Sequence, residues 1–307
     1  MAETAATYTV PEHHVVLFTA NVQAALTKMG GLIAPLMTAG AYLGDKAQVV
    51  KFIGPVEFTE RNTPYSDTKL THAEHTQRWI VGAEYDCAIL VDRLDLLKML
   101  DDPTNPYVMR MQEAAARKRD QIAMSKFFAT AKTGVQGATN TSFPAGNIVA
   151  HGSVGLTFAK LRSLRKLIKK KHVDLRLVSP YIAVTADEVD DLLGETQVGS
   201  NDYNAVKTLV DGEVSKFMGF TMIPYEDLGD GTEGQSIPSV AGGAGLIRDL
   251  PVWVPDGMHF GDWAGLTITI NNRADKNNIP QIHATFTAGA TRLEENKVFA
   301  AQTDRAV

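Results

Sequence analysis

From Trp79 to Val91 every odd position carries an apolar or small side chain: Trp79, Val81, Ala83, Tyr85, Cys87, Ile89 and Val91. A period of two is the signature of a β-strand, because successive side chains point to opposite faces. At a rise of about 3.3 Å per residue, this run reaches about 43 Å, roughly twice an ordinary strand. A compact domain rarely needs one so long. Its partner is the stretch Val49 to Phe58, where Phe52, Val56 and Phe58 mark a strand interrupted at Gly54-Pro55. A turn rich in Asn62, Pro64, Ser66 and Asp67 joins the two. The outer part of this hairpin, Lys51 to Arg78, is polar and balanced: Lys51, Arg61, Lys69 and Arg78 against Glu57, Glu60, Asp67 and Glu74. A projecting two-stranded arm is marginal on its own. The pattern therefore predicts that the arm docks on another subunit, with Phe52, Glu57, Glu60, Arg61, Lys69 and Arg78 at the contact and the three outer cations as ion-pair donors.

The 307 residues are enough for one large domain or two smaller ones, and 44% hydrophobic with 21% charged residues is an ordinary folded composition. With 30 basic against 35 acidic residues the formal charge is −5, which excludes binding to nucleic acid through a global positive field. Any polyanion contact must be local. Cys87 is the single cysteine, so neither an internal disulfide nor a multi-cysteine zinc site is open to the chain. Placed mid-strand, its thiol reads as a small buried hydrophobe. The first residues, with Glu3 and Glu12 ahead of any apolar stretch, lack the basic start of a secretory signal. Met29 to Gly44 is too short and too broken by Gly30, Gly31, Pro35 and Gly40 for a membrane span. The expectation is a soluble intracellular product. Residues 1 to 45 contain Val15, Leu17 and Phe18 but no sustained period, so they cannot bury their apolar side chains as one amphipathic element. They are expected to lie against something else and to order on assembly.

Beyond the long strand, Asp92 to Leu100 reads as a short helix. A second helix starts near Thr104, Asn105 and Pro106 and extends to about Lys132. Gly134 stops it. Thr157 opens a helix with Phe158, Leu161, Leu164 and Ile168 on one face and Lys160, Arg162, Arg165, Lys166 and Lys169 around the other sides. Leu175 to Val184 reads as an apolar strand, and Thr185 with Glu188 forms a capping box for the helix to Leu193. A short helix is expected around Val206 to Val210, then a strand over Phe217 to Ile223 with Gly219 inside it. Leu266, Ile268 and Ile270, and later Ile282, Ala284, Phe286 and Ala288, alternate with polar residues across the turn Asn271 to Asn278. The terminal region is thus a pair of strands. No internal repeat is visible.

Catalytic motifs are missing. No glycine-lysine-serine/threonine loop follows a strand, the Gly242, Gly243, Gly245 cluster lacks dinucleotide-fingerprint spacing, and no nucleophile elbow is present. His72 and His75 sit three apart in an expected strand and so face opposite ways; His13-His14 is a terminal pair. Asp187, Glu188, Asp190 and Asp191 are the ordinary acidic complement of a helix start. No cofactor or metal site is assigned. The one strong basic cluster is Arg162, Arg165 and Lys166 followed by Lys169, Lys170, Lys171 and His172. Lys169, Lys170 and Lys171 are candidates to face DNA, although cations also suit a helix C-terminus and no aromatic residues interleave them.

An apolar N-terminal arm, a long projecting hairpin, a long helix, a central α/β region and returning strands together resemble the major capsid protein of tailed bacteriophages, the Hong Kong 97-like fold. The segment Phe217 to Pro224 looks like the family's glycine-bearing strand. Leu266 to Ile270, the charged turn at Arg273, Asp275 and Lys276, and Arg292 to Glu295 before Val298 look like its closing strands. The resemblance implies an α+β chain with residues 1–45 as N-terminal arm, 46–78 as extended loop, 79–151 with 263–307 as peripheral domain, and 152–262 as axial domain. It implies self-assembly as hexamers and pentamers into an icosahedral head around double-stranded DNA, a role without catalysis, assembly in the host cytoplasm and residence in the virion. A portal and a separate scaffolding protein are the further partners implied; some relatives carry a cleavable scaffolding region ahead of the arm, and as the arm here starts almost at once, either this is a mature chain or scaffolding is a separate protein. Lys69 lies where a few relatives crosslink, but non-covalent assembly is expected. The rival readings are an encapsulin-like compartment shell, a cytoplasmic α/β enzyme with its site around residues 194 to 204, and a nucleic-acid-binding protein using residues 160 to 172.

Overall fold

The computed structural model describes residues 31–65, 67–68, 70–90, 104–194, 216–225, 247–276 and 278–304. Expectations for Val15, Leu17, Phe18, Lys69, the helices at 92–100 and 206–210, and the 194–204 loop beyond Gly194 fall outside these residues.

The long strand is two strands. β1 (Thr38–Ala41) and β2 (Lys46–Ile53) precede β3 (His75–Val81), which pairs antiparallel with β2, and β4 (Ala83–Leu90), which belongs to a different sheet. Gly82 separates them. A Cβ there would lie 2.8 Å from the Trp263 ring, so only glycine lets the backbone pass beneath the indole as it changes sheets. The phase also differs from the expected one. In β3 the even residues Arg78 and Ile80 face the core, while Val81 is exposed. Cys87 corrects a second expectation: it is exposed, because β4 is the edge strand of its sheet.

Helix α1 (Thr104–Ser125) is shorter than the predicted run to Lys132. After Ser125 the chain turns and drives Phe127 into the core against Trp253, with ring centroids 4.9 Å apart. The carbonyls left beyond the helix end accept hydrogen bonds from the buried Arg292 guanidinium, Phe127 O at 2.8 Å and Ala129 O at 2.9 Å. This satisfies backbone groups that water cannot reach. Two short strands follow, β5 (Ala131–Thr133) and β6 (Thr139–Thr141), completing the sheet β2-β3-β5-β6.

The second layer begins with β7 (Ile148–Val149) and α2 (Phe158–Lys170), whose N-cap Thr157 accepts from the Lys160 amide. Only β8 (Tyr181–Val184) forms from the predicted strand at 175–184; Asp174, hydrogen-bonded to Arg176, holds the earlier residues in a turn. α3 (Ala186–Gly194) starts with the expected capping box, in which Glu188 accepts from the Thr185 amide at 3.0 Å. The glycine expected inside a strand sits instead in a two-residue hairpin turn. Met218 and Gly219 both have positive φ, 50° and 85°, between β9 (Lys216–Phe217) and β10 (Phe220–Pro224).

Three more strands follow: β11 (Ile247–Trp253), the long β12 (Met258–Arg273) and the long β13 (Ile279–Arg292); β14 (Val298–Asp304) ends the described chain. The six-stranded sheet runs β7-β14-β11-β8-β10-β9, so the last strand inserts beside the first of the central region. The remaining sheet runs β1-β12-β13-β4, with α1 packed on β13 and β12. One continuous apolar core joins Phe127, Leu161, Leu164, Ile168, Ile182, Trp253 and Phe299. Ile33 and Met37, at the end of the expected N-terminal arm, are part of it. Among the described residues no helix is long and apolar enough to cross a membrane.

Candidate subunit interface

The β2-β3 ladder ends at Ile53 and His75, and a last bond runs from Gly54 N to Glu74 O at 2.7 Å. Residues 55–74 therefore project beyond the sheet with no strand partner among the described residues. The predicted outer strands are absent there because Pro55 and Pro64 remove ladder donors and Tyr65 takes a positive φ of 61°. His72 lies in this loop, His75 opens β3, and the described residues hold no cluster of three metal-ligating side chains.

Glu57, Glu60 and Arg61 lie in the loop and are exposed, as expected of contact residues; Phe52, in β2, is half-buried. Glu57 and Glu60 have no ion-pair partner among the described residues, while Arg61 donates to its own loop at Thr63 O. The loop also carries what its polar sequence hides. Phe58, Tyr65 and Leu70 are 106%, 98% and 82% exposed, an apolar tip with no core to cover it. The loop curls around a concavity of about 550 Å³ lined by Val56, Phe58, Arg61 and Thr71 among others.

Arg78 is a correction. It was expected to be an inter-subunit donor, but it is buried in its own subunit, donating to Leu293 O at 2.6 Å and pairing with Glu295. Glu295 also lies 3.6 Å from Arg292, whose burial pushes its pKa down against the attraction of Glu295. Two arginines and one carboxylate thus lock the end of β13 to β3. A buried charge must be paired, and the local sequence cannot reveal a partner 217 residues away.

Two anchoring residues escaped sequence reading. Asp120, buried on α1, accepts from the amides of Leu32, Ile33 and Ala34 at 2.9, 3.0 and 3.1 Å. It fixes the point where the N-terminal segment meets the subunit. His259, on β12, is bonded on both ring nitrogens, to Thr38 Oγ1 and to Tyr42 Oη, each at 2.8 Å. Thr38 spends its hydroxyl hydrogen on Met258 O, so His259 Nδ1 donates to Thr38 and Nε2 accepts from Tyr42. Burial lowers the His259 pKa, favouring this neutral ring. A second buried network, Arg248 with Glu188 at 2.7 Å and Thr303 on the same carboxylate at 3.1 Å, ties α3, β11 and β14 together.

Of the candidate DNA-facing residues, Lys169 and Lys170 are exposed near the end of α2. Lys171 caps the helix and is half-buried, its amide bonded to Leu167 O and Ile168 O at 3.1 Å.

An N-terminal strand on a long hairpin, a projecting loop, a helix laid on that hairpin and a six-stranded central sheet make up the Hong Kong 97-like capsid architecture, and solved structures agree. The capsid of Helicobacter pylori bacteriophage KHP30 superposes with a TM-score of 0.68 at 8% identity, covering 93% of this chain and 94% of that one. The capsid of Ralstonia phage GP4 gives 0.67 at 8% identity over 99% and 98%. The capsid of cyanophage P-SCSP1u gives 0.66 at 14% identity over 93% and 91%. No curated protein matches the sequence. The phage capsid protein family model matches residues 10–304, and the chain belongs to that family.

Proposed function

We propose that this chain is the major capsid protein of a tailed bacteriophage, assembling as hexamers and pentamers into an icosahedral head around double-stranded DNA. The observation that carries this reading is the loop 55–74, which is exposed, apolar at its tip and outside the subunit's own core. Burying one Phe, Tyr or Leu side chain contributes about 1.5–3 kcal/mol, so a neighbour that covers Phe58, Tyr65 and Leu70 supplies the cohesion that exposed ion pairs, at about 0–1 kcal/mol each, do not. Glu57, Glu60, Arg61 and Lys69 then set register and orientation rather than strength. Val15, Leu17 and Phe18 are assigned to the same class of contact, made by the segment that leaves Asp120. The net charge of −5 suits a container whose cargo must remain mobile. A separate scaffolding protein, a portal and assembly in the host cytoplasm complete the proposal.

Replacing residues 55–73 with a short glycine-serine turn tests it. The variant should stay a folded monomer, because the β2-β3 ladder and the core remain, and it should form no shells. Normal particles from this variant would remove the loop from the interface.

A further inference from the structure

Arg162, Arg165, Lys166, Lys169 and Lys170 follow one another at helical steps of three and one, placing all five on one face of α2. They line a concavity of about 530 Å³. Leu161, Leu164 and Ile168 hold the opposite face in the core. Lys160, which the sequence grouped with these cations, is excluded from them. It is buried, and its ammonium donates to Gly155 O at 2.7 Å and Gln302 O at 2.9 Å.

None of the five makes an ion pair among the described residues, and α2 contains no acidic residue. Like charges three and four residues apart destabilise a helix. The helix dipole offsets this only for Lys169 and Lys170 in the last turn. Arg162, Arg165 and Lys166 gain nothing of the kind, so the fold maintains a repulsive stripe that an external anion would relieve. Arg165 is further held in place, donating to Met218 O at 2.7 Å on the β9-β10 turn.

We propose that this stripe of α2 binds the phosphate backbone of duplex DNA without sequence preference. The eight steps from Arg162 to Lys170 cover about 12 Å at 1.5 Å per residue, and phosphates on one strand follow one another every ~3.4 Å along the duplex axis. Three or four consecutive phosphates therefore fall within reach of the five cations. The stripe has no aromatic residue on which unpaired bases would stack, which favours a duplex over a single strand. The inference rests on the container reading only for the source of the DNA.

The test measures binding of a mixed-sequence duplex of about 30 base pairs to the full chain, in subunits and in DNA-free shells, from about 50 to about 200 mM salt. Three of the exposed cations are neutralised in R162Q/K166Q/K169Q, with K166Q/K170Q as a second variant should the first lose its fold. The triple variant should bind at least about tenfold more weakly and show a salt slope smaller by about 2.7, since each phosphate contact contributes about 0.9. Unchanged affinity and slope in both variants would overturn the proposal. So would equally tight, equally mutation-sensitive binding of polyglutamate, which would make the stripe a site for an acidic polypeptide. Shell formation is scored separately: shells that form normally while DNA binding falls support both readings, and subunits that bind DNA through the stripe yet never form shells refute the container alone.

Discussion

Asp120→Ala should release the N-terminal segment from the subunit without unfolding the rest. Three amides donate to this one carboxylate, and a hydrogen bond to a charged group contributes about 1.5–3 kcal/mol. The three contributions are not independent, because the amides belong to consecutive residues that dock or leave together. The loss is also bounded by the cost of undocking, chiefly the exposure of Ile33 and Met37 at about 1.5–3 kcal/mol each. The expected effect is a fall of about 3–5 kcal/mol in the local opening free energy of residues 32–41. Amide exchange at Leu32 to Ala34 should therefore accelerate by at least about a hundredfold, since each 1.4 kcal/mol is about a factor of ten. Protection in β11 and β14 should be unaffected. Asp120→Asn keeps one carbonyl acceptor, Oδ1 in the geometry of Ile33 and Ala34, and turns an NH₂ toward the Leu32 amide. It should produce a smaller acceleration. If Asp120→Ala leaves exchange at Leu32 to Ala34 unchanged, the carboxylate does not anchor the segment and the reasoning fails.

Charge reversal should separate the two classes of hairpin charge: E57K/E60K should impair assembly while shifting the subunit melting temperature little, and Arg78→Ala should cost the isolated subunit about 1.5–3 kcal/mol, by leaving Leu293 O without its donor and the half-buried Glu295 with Arg292 alone. Calorimetry alongside particle yield checks both, and a reversal that unfolds the subunit would assign Glu57 and Glu60 to the fold. The His259 anchor should be pH-sensitive. Its pKa is lowered by burial from 6.5, so the unfolded chain binds the extra proton first; its stabilisation is complete above about 6.5 and is lost as pH falls through the lowered folded value. Exchange at Thr38 to Tyr42 should accelerate on acidification in the wild type and become pH-independent, after correction for intrinsic rates, in His259→Gln; an identical pH response in that variant would exclude the imidazole.

What the sequence made legible is what local rules control. The capping box at Thr185 and Glu188, the helix start at Thr104, the alternation of Leu266 to Ile270 and Ile282 to Ala288, and the projection of the hairpin all rest on contacts between near neighbours or on a single face. What stayed hidden depends on partners far along the chain. Gly82 sits at an even position, outside the odd-numbered apolar pattern, so nothing marked the sheet change that Trp263 imposes. Asp120 looks like any helix-surface acid beside Arg119 until residues 86 to 88 positions earlier fold onto it. Arg78 and Arg61 share one polar arm, and only Glu295 distinguishes the buried one. Within the loop, alternating apolar residues suggested strands, whereas the prolines and the absence of a ladder leave Phe58, Tyr65 and Leu70 outside.

On the proposed reading, residues 55–74 of one subunit are completed by a neighbour in a closed shell. Electron cryo-microscopy of particles formed by the full-length chain tests this most directly. The expected result is an icosahedral shell in which Phe58, Tyr65 and Leu70 are buried against an adjacent subunit while Arg78 keeps Glu295 of its own chain. A small discrete oligomer, or a shell in which this loop stands free in solvent, would contradict it.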